Sequence, residues 1–250
     1  MAGHSHSANI KHRKNAVDAK RAKIFSKAAR NIISAVRQGG PEIDTNLKLK
    51  YAIDKAKAAN MPKDNIERAV KRGAGSKDGD DFKELMYEGY AAGGVALIVC
   101  CLTDNHKRTA PEVKYTFEHN NGNMGASGSV SFMFDFRSIY VVEMGADMDE
   151  DKLMELALEA GAEDVLVEAE VGTVLAPATD FGPVKEALEA AGLSLLSSET
   201  GYMPQNTMKV EDKKDAERIL KLIDTLEDND DVQNVYANYD IPDEWMEELA

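Results

Sequence analysis

Lys11, Arg13 and Lys14, followed by Lys20, Arg21, Lys23, Lys27 and Arg30, place eight cations within twenty residues, with His12 among them. Lysine and arginine at this density neutralise phosphates and release their counterions. That gives affinity for a nucleic-acid backbone without reading its bases. From Lys20 the cations recur at three- and four-residue steps, so a helix would array them along one face. A solvated helix face is the plain alternative for any single stripe, and the charge distribution outweighs it. The net charge of −14 hides a division: residues 1–77 carry +12 and residues 78–250 carry −26. Nucleic acid is therefore the expected partner, with these nine residues as its contacts.

Other residues that could do chemistry carry less. Cys100, Cys101, Asp104 and His106 can be drawn as a nucleophile and a base. The cysteines lie in the apolar run Val95 to Leu102, where small buried thiols are common, and no catalysis is expected. Neither a Walker loop nor a dinucleotide fingerprint is present, and Gly122-Asn-Met-Gly125 is too short a signal for a KH clamp. With Met1 removed, Ala2-Gly3-His4 has the groups to hold Cu(II) or Ni(II) in a square plane. His4 and His12 are read instead as polar contacts in a basic arm; no metal, cofactor or small-molecule substrate is expected. Two adjacent cysteines make no disulfide framework and suit a reducing cytosol, so the expected location is cytoplasmic. The eight-residue apolar run is too short for a membrane span, and no signal peptide is expected after Met1.

The elements that must position these groups follow from periodicity. Residues 1–16 have no regular period and read as an arm. Asp18 to Arg37 reads as a helix, with Phe25, Ala28, Ala29, Ile32, Ile33 and Val36 as its apolar stripe opposite the cations. Gly39, Gly40 and Pro41 end it. Two more helices, Thr45 to Ala59 and Pro62 to Gly73, complete a small bundle, and Gly73 to Asp81 reads as a linker. Lys63, Arg68, Lys71 and Arg72 on the third helix are not base-reading residues by type alone. Strands are expected at Leu85 to Ala91 and Val95 to Leu102. A helix with Thr109, Pro111 and Glu112 as its capped start follows. Alternating Val130, Phe132, Phe134 and Phe136 predict a strand with one aromatic face in the core. Residues 138–203 then spell β-α-β-β-α-β, the ferredoxin-like order, and a strand, helix and strand close the chain. An RNA-recognition motif shares that order but needs central aromatics in basic surroundings. Here the central strands offer Tyr140 alone, and residues 138–202 carry −13.

The signatures Ala8-Asn-Ile-Lys-His-Arg-Lys14, Ala52 to Ala69, Tyr87-Glu-Gly-Tyr90, Gly128-Ser-Val-Ser-Phe-Met-Phe134 and Asp231-Val-Gln-Asn-Val-Tyr236 recur together. In them the chain resembles the YebC family of transcriptional regulators, which includes the mitochondrial translational activator of cytochrome c oxidase subunit I. The resemblance spans essentially the whole chain. It implies an α+β multidomain protein: an N-terminal three-helix bundle, an α/β middle domain, and a ferredoxin-like domain inserted into the middle one. The expected bounds are 1–77, then 78–136 with 204–250, then 137–203. The resemblance implies non-catalytic work in gene expression, as a DNA-binding transcriptional regulator. A ribosome-associated factor that binds ribosomal or transfer RNA and relieves stalls at proline runs is the alternative. Where the family has Lys-Trp this chain has His6-Ser7, which removes a base-stacking ring from the arm. Ala91-Ala92-Gly93-Gly94 replaces the family's Gly-Pro-Gly-Gly.

Overall fold

The computed structural model describes residues 17–75, 82–145, 148–168 and 171–249. The arm cations Lys11, His12, Arg13 and Lys14 lie outside the described residues.

Helix α1 (Val17–Gly39) turns its apolar stripe inward and stops where Gly40 takes φ +86°, a left-handed conformation that glycine adopts without steric cost. Asn46 caps α2 (Leu47–Ala58): its Oδ1 accepts from Leu49 N–H at 3.0 Å, and its Nδ2 donates to the Ala35 and Gly40 carbonyls at 2.8 Å each. One buried side chain thus closes a helix and opens the next. Helix α3 (Lys63–Gly75) buries Ile66, Ala69 and Gly73. The expected stop at Gly73 is overturned. A Cβ there would lie 2.8 Å from Val36 Cβ, so this glycine admits a close helix approach instead of ending a helix.

Sheet elements follow in chain order. They are β1 (Lys83–Tyr90), β2 (Ala96–Thr103), α4 (His106–His119), β3 (Asn123–Met124), β4 (Phe134–Glu143), α5 (Glu150–Glu159) and β5 (Asp164–Glu168). Then come β6 (Val171–Pro177), α6 (Phe181–Ala190), β7 (Leu195–Pro204), β8 (Met208–Lys209), α7 (Lys213–Glu227), β9 (Val232–Ala237), β10 (Tyr239–Asp240) and α8 (Asp243–Leu249). The architecture is mixed α+β: helices first, then sheet-containing units. One sheet has the order β3-β1-β2-β9, so strands from both flanks of residues 137–203 share it. Helices α4 and α7 cover it, packing Val113, Phe117, Ile219 and Leu222 on Leu97 and Val99. A second four-stranded sheet has the order β5-β6-β4-β7, all antiparallel, with Tyr140, Leu153, Val174, Val184 and Leu188 in its core, and β8 and β10 pair in parallel as a third, two-stranded sheet.

Two local expectations need correction. The strand expected from Val130 begins only at Phe134, because residues 131–133 form a 3₁₀ turn. The cause is Glu88, whose carboxylate accepts the N–H groups of Gly128, Val130 and Ser131 at 2.7–2.8 Å and so diverts them from any ladder. Val130 and Phe134 are buried, but Phe132 and Phe136 are 69% and 52% exposed, so the four do not form one core face. The capped start at Thr109 is also overturned. Asn105 caps α4, Pro111 sits inside the helix, and the Thr109 hydroxyl is buried and turned inward.

Candidate nucleic-acid interface

From Lys23 to Arg30 the cationic face of α1 meets acidic groups of another part of the chain. It lies against the acidic turn, residues 227–231, between α7 and β9. Lys23 Nζ is 2.8 Å from Asp228 Oδ1, and Lys27 Nζ donates to the Glu227 carbonyl at 2.7 Å. Arg30 donates to the Asp230 carbonyl at 2.9 Å and to Asp231 Oδ1 at 2.5 Å, and Asn31 donates to Gln233 Oε1 at 3.0 Å. Lys20 and Arg21 stand in the first five residues of the same helix.

Asp231 is the centre of this contact. It is 2% exposed and takes four side-chain donors: Arg30, Arg108 at 2.7 Å, Thr109 Oγ1 at 2.8 Å and Thr103 Oγ1 at 3.0 Å. Burial pushes its carboxyl up, but hydrogen bonds from Arg108, Thr109, Arg30 and Thr103 outweigh that and hold it below the ordinary carboxylate range. Thr103 comes from β2, Arg108 and Thr109 from α4, and Arg30 from α1. One carboxylate therefore joins the helical unit to the first sheet unit.

Helix α2 repeats the theme toward both sheets. Lys48 pairs with Glu84 at 3.1 Å, Lys55 with Glu199 at 3.3 Å, and Lys50 approaches Glu186 at 3.9 Å. These pairs are half exposed, so each adds little stability, but all join a cation of the first unit to an anion of another. Tyr51 meets Phe181 edge-on at 5.0 Å. A cleft of about 930 Å³ opens where the three units converge, with Tyr51, Lys55, Cys100, Phe136, Glu199 and Tyr202 among its walls. The charge division seen in the sequence is thus partly consumed inside the molecule.

Helix α3 differs. Its Arg68, Lys71 and Arg72 are exposed on the side opposite Ile66, Ala69 and Gly73. Arg68 bonds within its own helix, to the Asp64 carbonyl and to Asn65 Oδ1. Lys71 and Arg72 have no carboxylate partner among the described residues.

Two family models match the chain: the TACO1/YebC protein N-terminal domain over residues 5–76, and the TACO1/YebC second and third domain over residues 82–239. The chain belongs to the TACO1/YebC family. A probable transcriptional regulatory protein of Geobacter sulfurreducens is 52% identical over 249 residues, covering 100% of both chains. One from Halothermothrix orenii is 49% identical over 251 residues, covering 100% of this chain and 99% of its own. Among solved structures, the conserved hypothetical protein Aq1575 of Aquifex aeolicus superposes with a TM-score of 0.81 at 45% identity, covering 90% of this chain and 93% of that one.

Several residues by which the chain resembles the TACO1/YebC family act on one another. Glu88 of Tyr87–Tyr90 holds the amides of Gly128–Phe134; its burial acts upward, yet the backbone bonds leave its carboxyl below the ordinary range. Gly89 lies so close to the Asn123 carbonyl that a Cβ would sit 2.6 Å from it. Asp231 of the last signature is the hub described above. In the sequence it stands in a family signature with no role legible from spacing, because its partners lie 122 to 201 positions away. Cys100, Cys101, Asp104 and His106, which could be drawn as a nucleophile and a base, have other surroundings. Burial pushes the Cys100 thiol up to about 11 and the Cys101 thiol to about 12, while Asp104 pairs with Arg108 and His106 opens α4. Tyr140 is fully buried and donates to the Phe181 carbonyl at 2.7 Å, so it offers no stacking face. No helix among the described residues is long and apolar enough to cross a membrane.

Proposed function

We propose that this protein is a non-catalytic, DNA-binding regulator of transcription. The observation that carries the reading is the cationic excess of residues 1–77, net +12, in a chain whose remainder is strongly anionic. The relatives' names as probable transcriptional regulatory proteins support the same role. In this reading Lys11, His12, Arg13, Lys14, Lys20 and Arg21 approach the phosphate backbone. Lys23, Lys27 and Arg30 share their charge with the acidic turn.

We read the chain as three domains, 1–77, 78–136 with 204–250, and 137–203. The separate hydrophobic clusters of the helical unit and the two sheets support this division. The β-α-β-β-α-β order and the β5-β6-β4-β7 sheet support reading 137–203 as a ferredoxin-like insertion. Its net charge of −13 over residues 138–202 repels a phosphate backbone, leaving that domain to shape and protein contacts.

The test is crosslinking in cells with sequencing of the DNA and RNA recovered, alongside binding of purified protein to duplex DNA across salt. Crosslinks on discrete promoter DNA are expected. Replacing Lys11, Arg13 and Lys14 with alanine should lower the log–log salt slope by about 3. Crosslinks concentrated on ribosomal or transfer RNA would overturn the transcriptional reading in favour of a translation factor. An unchanged salt slope would remove the arm from the site.

A further inference from the structure

Three helices carry cations that could bind phosphate, and on two of them the fold has paired six of those cations with its own acidic residues and carbonyls. The α1 cations Lys23, Lys27 and Arg30 face the 227–231 turn, and the α2 cations Lys48, Lys50 and Lys55 face Glu84, Glu186 and Glu199. A phosphate approaching either face must displace a carboxylate or carbonyl already in place. Lys57 and Lys63 are close to acids of their own helices, Asp54 and Glu67. That leaves α3. It packs through Ile66, Ala69 and Gly73 into the core it shares with α1 and α2, and its outer side is exposed. Arg68, Lys71 and Arg72 stand there at i, i+3 and i+4, spaced so that their side chains are neighbours on one turn of helix surface.

We propose that this outer face of α3, with Arg68, Lys71 and Arg72, is the surface by which the assembled protein grips the sugar-phosphate backbone of duplex DNA. The inference rests on the nucleic-acid reading above and adds α3 to the contacts named there. The three side chains reach phosphates, not base edges. They supply affinity and register, and sequence preference has to come from elsewhere in the protein. Arg68 is braced by its bonds to Asp64 and Asn65, which orders its guanidinium before any ligand arrives. Asp64 and Glu67 lie on the N-terminal half of the helix, so the positive end of the patch is its C-terminal half.

The test uses the full chain and a short fluorescent DNA duplex, with affinity followed by anisotropy from about 50 to 200 mM salt. The variant is Lys71→Glu with Arg72→Glu. The control is Lys114→Glu with Lys221→Glu, the same charge change on exposed positions of the first sheet unit. The α3 variant should bind about tenfold or more weakly at the low-salt end, with a salt slope smaller by about 2, while the control stays within about twofold of wild type. All four positions are exposed, and a circular dichroism melt matching wild type confirms that neither variant has lost its fold. Wild type that binds while the α3 variant tracks the control overturns the α3 assignment alone. Wild type that shows no salt-dependent binding overturns the nucleic-acid reading and this one with it. A loss seen on an RNA duplex but not on DNA overturns DNA as the ligand.

Discussion

Asp231→Asn keeps the shape of the hub and removes its charge. In the native protein the carboxylate is 2% exposed and serves Arg30, Arg108, Thr103 and Thr109 at once. An asparagine removes the buried anion that both arginines share, leaving Arg108 only the exposed Asp104 and Arg30 only the exposed Asp230, and turns an N–H toward groups that are themselves donors. Removing one member of a buried ion pair costs about 3–5 kcal/mol. Here the side chains of Arg30 and Arg108 are 25% and 43% exposed, so both can regain part of their hydration. The expected loss is therefore about 2–3 kcal/mol. For a chain of this size that lowers the thermal midpoint by about 4–12 °C, read by circular dichroism at neutral pH. Acid gives the second readout. The folded carboxyl is held below its ordinary range, so its contribution is complete above the unfolded value of about 3.9 and fades as pH falls through the lower folded value. The gap between wild type and Asp231→Asn should therefore narrow as pH falls below about 3.9 and close only once the lower folded value is passed. A midpoint change under about 1 °C at neutral pH would refute the hub, as would a gap that persists unchanged into acid.

Glu88→Gln tests the other buried carboxylate. It leaves fewer acceptor sites for the Gly128, Val130 and Ser131 amides and should cost about 2–3 kcal/mol in urea melts; a loss below about 0.5 kcal/mol would refute that role. With thiols pushed up to about 11 and about 12, Cys100 and Cys101 should resist iodoacetamide in native protein at about pH 8 and react fully in urea. Rapid native alkylation would show that these thiols are neither buried nor inert.

Much of the fold is legible because its signals are local. The Phe25-to-Val36 stripe, the glycine stop at Gly40 and the apolar run from Val95 to Leu102 each involve neighbours a few residues apart, and the structure has elements at those places. The misreadings share a different cause. Phe132 alternates like a strand residue, but a carboxylate 43 positions from Ser131 takes the amides its strand would need. Thr109 looks like a helix cap, but an aspartate 122 positions away claims its hydroxyl. Gly73 looks like a stop, but Val36 needs the space a side chain would fill.

The candidate interface divides along the same line. By itself the sequence determined the family, the order of helices and strands, and where the charge lies: a cationic first third and an anionic remainder. Only the tertiary structure decided which cations meet which anions. Lys27 and Arg30 find partners 200 positions away, and nothing in their spacing distinguishes them from Lys71 and Arg72, which find none among the described residues. Periodicity fixes the face of a helix on which a charge sits. What that face touches depends on how distant hydrophobic cores pack, and packing brings the 227–231 turn against α1 while leaving the outer side of α3 to water.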